Sequence, residues 1–350
     1  MKTKRYIFIL FSVIFIFFAS CNNTPIFSVI ENEISLKKFS VEGNVLGLIE
    51  KDNNVYVANR AGVYVKNKND EANWKEILTA DRGIQKIASN SDNVFVCFES
   101  GNVKYYEAGN WKDVPGSGNI RIIAGDNIVF GYDESQEKVF KIVKNAAPSE
   151  VIHSGKVDSL FAAGNYVVVK SGSSETMYKA DTSSAAVVAG LPGGVKGMCS
   201  AGDAGKIFVL AGSSIHYYNG SSWSDKTISI SGKNHHNISY VPLSISYFKE
   251  RRTILVGCQN GYTEVKLDDT DLTNLSKAKQ VNPGEDGSTT PPGSASQYQT
   301  TLGGYHSDPI LGISKGGSDY AVFLGISSGI IQRNTGLWGF YSDKREWNRE

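Results

Sequence analysis

The chain is predicted to be all-β, a seven-bladed β-propeller of four-stranded antiparallel blades with about 40 residues per blade. Three observations predict it. Short β-rich apolar runs recur along the chain at near-constant spacing, each is followed by a Gly-containing turn and a second such run, and a Trp opens a further strand at the same phase of the repeat. After the first 20 residues no stretch sustains apolar residues at i, i+3, i+4 and i+7, so long helices are not expected.

The elements follow in chain order. Lys2, Lys4 and Arg5 form a short positive head, and Tyr6 to Ala19 is apolar apart from Ser12. A basic region, an apolar region shorter than the roughly 20 residues a spanning helix needs, and small residues before Cys21 predict an export signal over 1–20. Phe18-Ala19-Ser20-Cys21 resembles the lipobox of bacterial lipoproteins, with Phe18 where that family usually has Leu. The resemblance implies cleavage before Cys21, lipidation of its sulfur and acylation of its new amino group. Several acyl chains anchor stably where a single one is marginal. Residues 21–32 are then a lipidated tether, and 33–350 a single propeller domain.

Within that domain, runs such as Val55-Tyr-Val-Ala, Val94-Phe-Val-Cys-Phe and Lys206-Ile-Phe-Val-Leu align on residues 55, 94, 128, 167, 207, 254 and 321. The first four steps lie near 40 residues, the length of a four-stranded blade. Turns at Asn59-Arg-Ala-Gly62, Glu99-Ser-Gly-Asn102 and Ala211-Gly-Ser-Ser214 lead into third strands, with Gly supplying the positive φ of a tight hairpin. Ile84–Ser89 and Ile120–Ala124 read as inner strands, and Trp74, Trp111 and Trp223 as the starts of outer ones. Equivalent packing explains that fixed phase better than a carbohydrate-stacking series does. In Tyr105-Tyr106 and Tyr217-Tyr218, neighbouring side chains point to opposite faces of a sheet. The longer steps hold a polar loop, Gly232–Asn237, and a Pro/Gly/Ser-rich insert over 282–296 that has little to bury and is expected to be mobile. Two closures are open. The alternating segment 33–40 can join the last blade, with or without the Trp347 segment beside it, which is the preferred arrangement, or Glu346-Trp347 can supply its outer strand.

Charge and cysteines narrow the function. The chain carries +1, and losing Lys2, Lys4 and Arg5 leaves the mature part at −2. That argues against a nucleic-acid binder, which needs a basic face. Beyond Cys21, the odd set Cys97, Cys199 and Cys258 shows no metal-like spacing and is expected as buried thiols.

Chemistry-bearing motifs are sparse. Gly312-Ile-Ser-Lys-Gly316 and Gly325-Ile-Ser-Ser-Gly329 match a nucleophile-elbow spelling but are followed by strand-like runs, so their serines are expected in turns. His235-His236 share no ligand spacing with His153, His216 or His306, and Asp268–Asp271 lacks the EF-hand pattern. No catalytic residue, metal site or cofactor is assigned.

The blade pattern, with Gly62-Val-Tyr64 and the Asn-Trp starts at 73 and 110, resembles the loosely repeated propellers of bacterial envelope proteins, such as two-component-regulator propellers and assembly-factor lipoproteins. That resemblance implies an envelope lipoprotein, periplasmic or at the cell surface. Its expected role is a non-catalytic module binding a protein or an envelope polymer through loops on a rigid ring. A scaffold for envelope assembly and a hydrolase with its site at the ring centre are the alternatives. Candidate loop residues are Asn59, Arg60, Glu99, Asn102, His235, His236 and Arg251.

Overall fold

The chain divides into residues 1–39 and 40–350. The computed structural model describes residues 40–350 apart from 70–73, 81–82, 181–184, 233–238, 260, 269–271, 273, 282–305, 328–334 and 345. The lipobox, the 33–39 segment, His235, His236 and the 282–296 insert lie outside the described residues.

Seven four-stranded antiparallel sheets follow one another, each a simple meander of consecutive strands. Blade 1 comprises β1 (Val45–Lys51), β2 (Asn54–Asn59), β3 (Gly62–Asn67) and β4 (Lys75–Thr79). Blade 2 comprises β5 (Ile84–Ser89), β6 (Val94–Phe98), β7 (Val103–Glu107) and β8 (Asn110–Asp113). Blade 3 holds β9 (Ile120–Ala124) to β12 (Val151–Ser154), and blade 4 holds β13 (Ser159–Ala163) to β16 (Ala186–Val188). Blade 5 holds β17 (Val195–Ser200) to β20 (Ile228–Ser229), and blade 6 holds β21 (Pro242–Phe248) to β24 (Lys279–Val281). Blade 7 holds β25 (His306–Gly316), β26 (Asp319–Ser327), β27 (Gly336–Tyr341) and β28 (Glu346–Arg349).

Each first strand touches the first strand of the next blade, and β25 returns to β1, so the ring closes. Burial follows radial position. The second strands are buried on both faces because neighbouring blades cover both sides; β6 and Val129–Asp133 of blade 3 are buried throughout. The outer strands β4 and β8 are largely exposed. Close approach between inner strands sets the ring's tightness. A Cβ on Gly47 would lie 2.3 Å from the Ile87 Cγ2, and one on Gly312 2.6 Å from the Phe248 ring. Bulges interrupt pairing near the start of six inner strands, among them β1, β5, β17 and β25, and such bulges re-aim side chains.

Among the described residues the fourth strand of the last blade is Glu346–Arg349, as the second closure has it, while the 33–39 part of the N-terminal segment lies outside them. The chain nevertheless meets its own end there, because Val41 N–H donates to the Glu350 main-chain oxygen at 3.3 Å and Val41 is fully buried. Among the described residues no strand crosses the 7–1 seam. Side chains close it instead. Val45, Val57 and Trp74 pack on Ile313, Phe323 and Leu337. Beside them Lys66 Nζ faces Glu350 Oε2 at 2.9 Å with both side chains fully buried.

The tryptophans act between blades. Trp111 Nε1 donates to the Ile77 carbonyl of blade 1 at 3.0 Å, and Trp223 Nε1 to the Ala189 carbonyl of blade 4 at 3.0 Å. Trp74 does the equivalent at the seam, donating to Glu350 Oε2 at 2.6 Å. Tyr106 meets Tyr56 of blade 1, and Tyr105 donates to Asn145 of blade 3 at 2.6 Å, so the tyrosine pair faces both neighbours. Two details differ from expectation. Trp223 precedes its strand, forming an isolated bridge with Tyr218, while the outer strand of blade 5 is Ile228–Ser229. Ser314 and Ser327 lie in β25 and β26 rather than in turns.

Candidate functional site

Each inner strand pairs on one edge only, with the second strand of its blade, and its other edge faces the ring axis. The seven free edges enclose a channel of about 660 Å³, within the size range of small-ligand sites. All seven blades contribute to its wall.

The charged lining divides by how it is held. Asp126, in the turn after β9, accepts from Ser200 Oγ of blade 5 at 2.6 Å and from the Gly164 N–H of blade 4. One carboxylate thus spans three blades. Asp126 touches channel solvent, yet the ring around it removes bulk hydration, which raises its pKa against the opposing pull of those donors. Glu50 is likewise raised, by burial first and by Glu250, and its ion pair with Lys68 at 3.5 Å opposes the shift. Asp203 pairs with Lys206 at 3.0 Å, and the Gly205 N–H donates to it at 2.9 Å. Lys196 Nζ donates to the Pro242 carbonyl at 3.2 Å. Cys199 also lines the channel, its thiol pushed well up by burial and by the nearby Asp126 charge. Cys97 and Cys258 are buried and pushed up to about 12 by desolvation. All three are free thiols.

The residues singled out from sequence do not converge. Asn59 is buried; its Oδ1 accepts from the Ala61 and Gly62 N–H groups at 2.9 and 2.8 Å, and its amide donates to the Glu42 carbonyl at 2.8 Å. It shapes the hairpin turn. Arg60 and Glu99 are exposed and pair with each other at 2.6 Å between blades 1 and 2. Asn102, at φ +97°, donates to Asp113 at 2.8 Å and accepts from Ser117 Oγ at 3.0 Å. These four sit where second strands turn into third strands. Arg251 lies in a 3-10 turn after β21, on the opposite face of the ring, with its guanidinium 4.0 Å from the centre of the Tyr320 ring. Sequence reasoning missed the channel's side chains, because a polar residue on an inner strand reads as merely solvent-facing.

Comparison with known proteins places this architecture. Among solved structures, YCF48 from Cyanidioschyzon merolae superposes with a TM-score of 0.53 at 9% identity, over 87% of this chain and 97% of its own. YCF48 bound to D1 peptide gives 0.51 at 11% identity, over 83% and 91%. At such identities the likeness is one of fold. Two lipoproteins of Treponema pallidum (strain Nichols) are similar along nearly their whole length. One is 24% identical over 95% of this chain and 93% of its own, the other 27% over 94% and 95%. Residues 7–350 match the TP013X lipoprotein family, and the chain belongs to that family.

Proposed function

We propose that this lipoprotein is a non-catalytic binding module, held at an envelope membrane by lipid on Cys21, that engages a protein or an envelope polymer through the loops and channel of its propeller. The observation that carries the proposal is the channel of about 660 Å³ in a ring whose parts are tied to one another. Three of its four lining carboxylates, Glu50, Asp126 and Asp203, are each held by donors of the fold itself. General acid–base chemistry favours carboxyl groups turned toward a substrate, whereas carboxylates held by the wall keep a recognition surface in shape. Family membership supports the membrane link, and loops on rigid scaffolds are where recognition concentrates.

In-cell crosslinking of the whole lipoprotein, followed by identification of what co-purifies, tests the proposal. A reproducible partner that is lost on alteration of the channel mouth or turn residues is expected. Capture that is indifferent to all such changes would refute it. Cys21→Ser is expected to abolish labelling by radiolabelled palmitate and to release the protein from membranes.

A further inference from the structure

The channel's four lining carboxylates are Glu50, Asp126, Asp203 and Asp308, and its lining amines are Lys86, Lys196 and Lys249. Three of those acids are engaged by the fold, leaving Asp308 as the one lining carboxylate with no donor among the described residues. The amines are not so engaged. Lys196 donates only to a neutral carbonyl, that of Pro242, and neither Lys86 nor Lys249 has a partner among the described residues. Only Glu50 and Asp203 are paired with cations, while Asp126 is held by neutral donors, so three amines face two carboxylates that no cation neutralises, Asp126 and Asp308.

Their placement is specific. Lys86 is the third residue of β5 and Lys196 the second of β17, both beside inner-strand bulges. They stand three blades apart in a ring of seven, on opposing walls near the same mouth. Lys249 follows the end of β21, at the other mouth, its stem lying along Gly202 of blade 5. Low-dielectric walls focus the field of charges that line an opening. Flexible four-carbon stems let the two opposed ammonium groups close on one guest.

We infer that the channel binds an anion carrying two or more acid groups, carboxylate or phosphate, seated between Lys86 and Lys196. This rests on the binding-module reading and names the chemistry of its ligand. The shared chemistry suits either a small free anion or a segment of an acidic envelope polysaccharide.

Calorimetric titration of the whole purified chain with citrate, at ionic strength held constant with sodium chloride, tests it. Saturable binding is expected. Lys86→Gln/Lys196→Gln should weaken it by roughly a hundredfold, about tenfold for each charged contact. Asp308→Asn removes an opposing charge and should tighten it. Unchanged unfolding midpoints and circular dichroism certify that the variants keep the ring. An acidic trisaccharide of galacturonate separates the two sources. Tighter binding than citrate assigns a polymer segment, and binding of citrate alone assigns a small anion. Absence of saturable heat with either probe overturns the inference, as does a double variant that binds like the parent. A crosslinked partner without anion binding would leave the binding module standing and refute only the anion. Saturable citrate binding without any captured partner would refute the macromolecular partner and keep the channel site.

Discussion

The seam between blades 7 and 1 makes the sharpest prediction. Lys66 Nζ and Glu350 Oε2 are 2.9 Å apart with both side chains fully buried. Trp74 and Tyr341 donate to the same carboxylate, each at 2.6 Å. The ammonium also lies 4.7 to 5.0 Å from the ring centres of Trp74, Phe323 and Tyr341. Altering one member of a buried ion pair costs about 3–5 kcal/mol, whereas neutralising both costs far less than the sum. Glu350→Gln is therefore expected to lose about 3–5 kcal/mol, because it withdraws the carboxylate that the ammonium faces. Lys66→Met should fall at the low end of that range, since Trp74 and Tyr341 still hold the carboxylate. The double variant Lys66→Met/Glu350→Gln should recover about 2–3 kcal/mol relative to additivity. In urea, at a slope of about 3 kcal/mol per molar, each single change moves the midpoint by about 1 to 1.7 M, with Lys66→Met at the lower end. Coincident transitions by tryptophan fluorescence and far-ultraviolet circular dichroism establish the two-state condition first. Additivity of the two single changes to within about 0.5 kcal/mol would refute the reasoning, for it would mean that the two charges do not hold the seam together.

Other expectations follow from the same contacts. Trp111→Phe keeps the ring beside Tyr106 but deletes the donor to the Ile77 carbonyl, so denaturant unfolding should show a loss of about 1 kcal/mol. The Cys97 and Cys258 thiols, pushed up to about 12 by burial, should resist alkylation by iodoacetamide at pH 8 until the protein is unfolded, as timed mass spectrometry would read. Because burial raises the Asp126 pKa in the folded state, its contribution to stability is fully present below its unfolded pKa and is lost as pH rises through the folded one. Asp126→Asn should therefore gain stability relative to the parent at neutral pH, and the gain should shrink in acid. Glu107 titrates the other way. Hydrogen bonds from Lys112 and Lys144 bring it down to about 2, so its stabilisation is present above the ordinary carboxylate pKa and is lost as pH falls toward 2. Its pKa in an NMR titration should rise in high salt, because solvent reaches the half-buried group and its two lysines.

How far the sequence reached is instructive residue by residue. The inner strands Ile84–Ser89 and Ile120–Ala124 have the boundaries that their apolar pattern and flanking turns predict. The Trp phase also translated into structure, because each of Trp74, Trp111 and Trp223 donates to the preceding blade. Closure was less legible. Glu346-Trp347 and the segment 33–40 both carry strand-like patterns, and the pairing of Trp347 with Phe340 assigns the first of them to the last blade. Lys66 follows Gly-Val-Tyr-Val and reads as the wet end of a strand; it is buried because the far end of the chain folds over it. The loop residues failed as a group for a related reason. Asn59 and Asn102 are turn-formers, and the polarity that draws notice in a sequence is the polarity that their own backbones and neighbours use. Lys86 and Lys196 sit beside bulges, where the period-two rule that assigns side chains to faces breaks down.

A covalent turn or loop follows the last strand of each blade except at the 7–1 seam, and that difference explains where the strong contacts sit. At the joints before blades 2 and 5, a linker of a few residues keeps the partners at high effective concentration, so a neutral Trp-to-carbonyl bond suffices. At the seam the partners lie at opposite ends of the domain, 284 residues apart for Lys66 and Glu350, and closing so long a loop costs more entropy. There the same Trp position finds a carboxylate acceptor, and an ammonium and a tyrosine join it. The fully buried Lys66–Glu350 pair is thus placed where connectivity is missing, and it is fully coordinated. The channel amines break that pattern. Lys86 and Lys249 close no seam, and Lys196 reaches only a carbonyl. Lys86 and Lys249 are open to solvent and Lys196 is half-buried, so the fold leaves these charges accessible instead of using them for its own contacts. A ligand that brings negative charge into the channel would give them the partner that the fold does not.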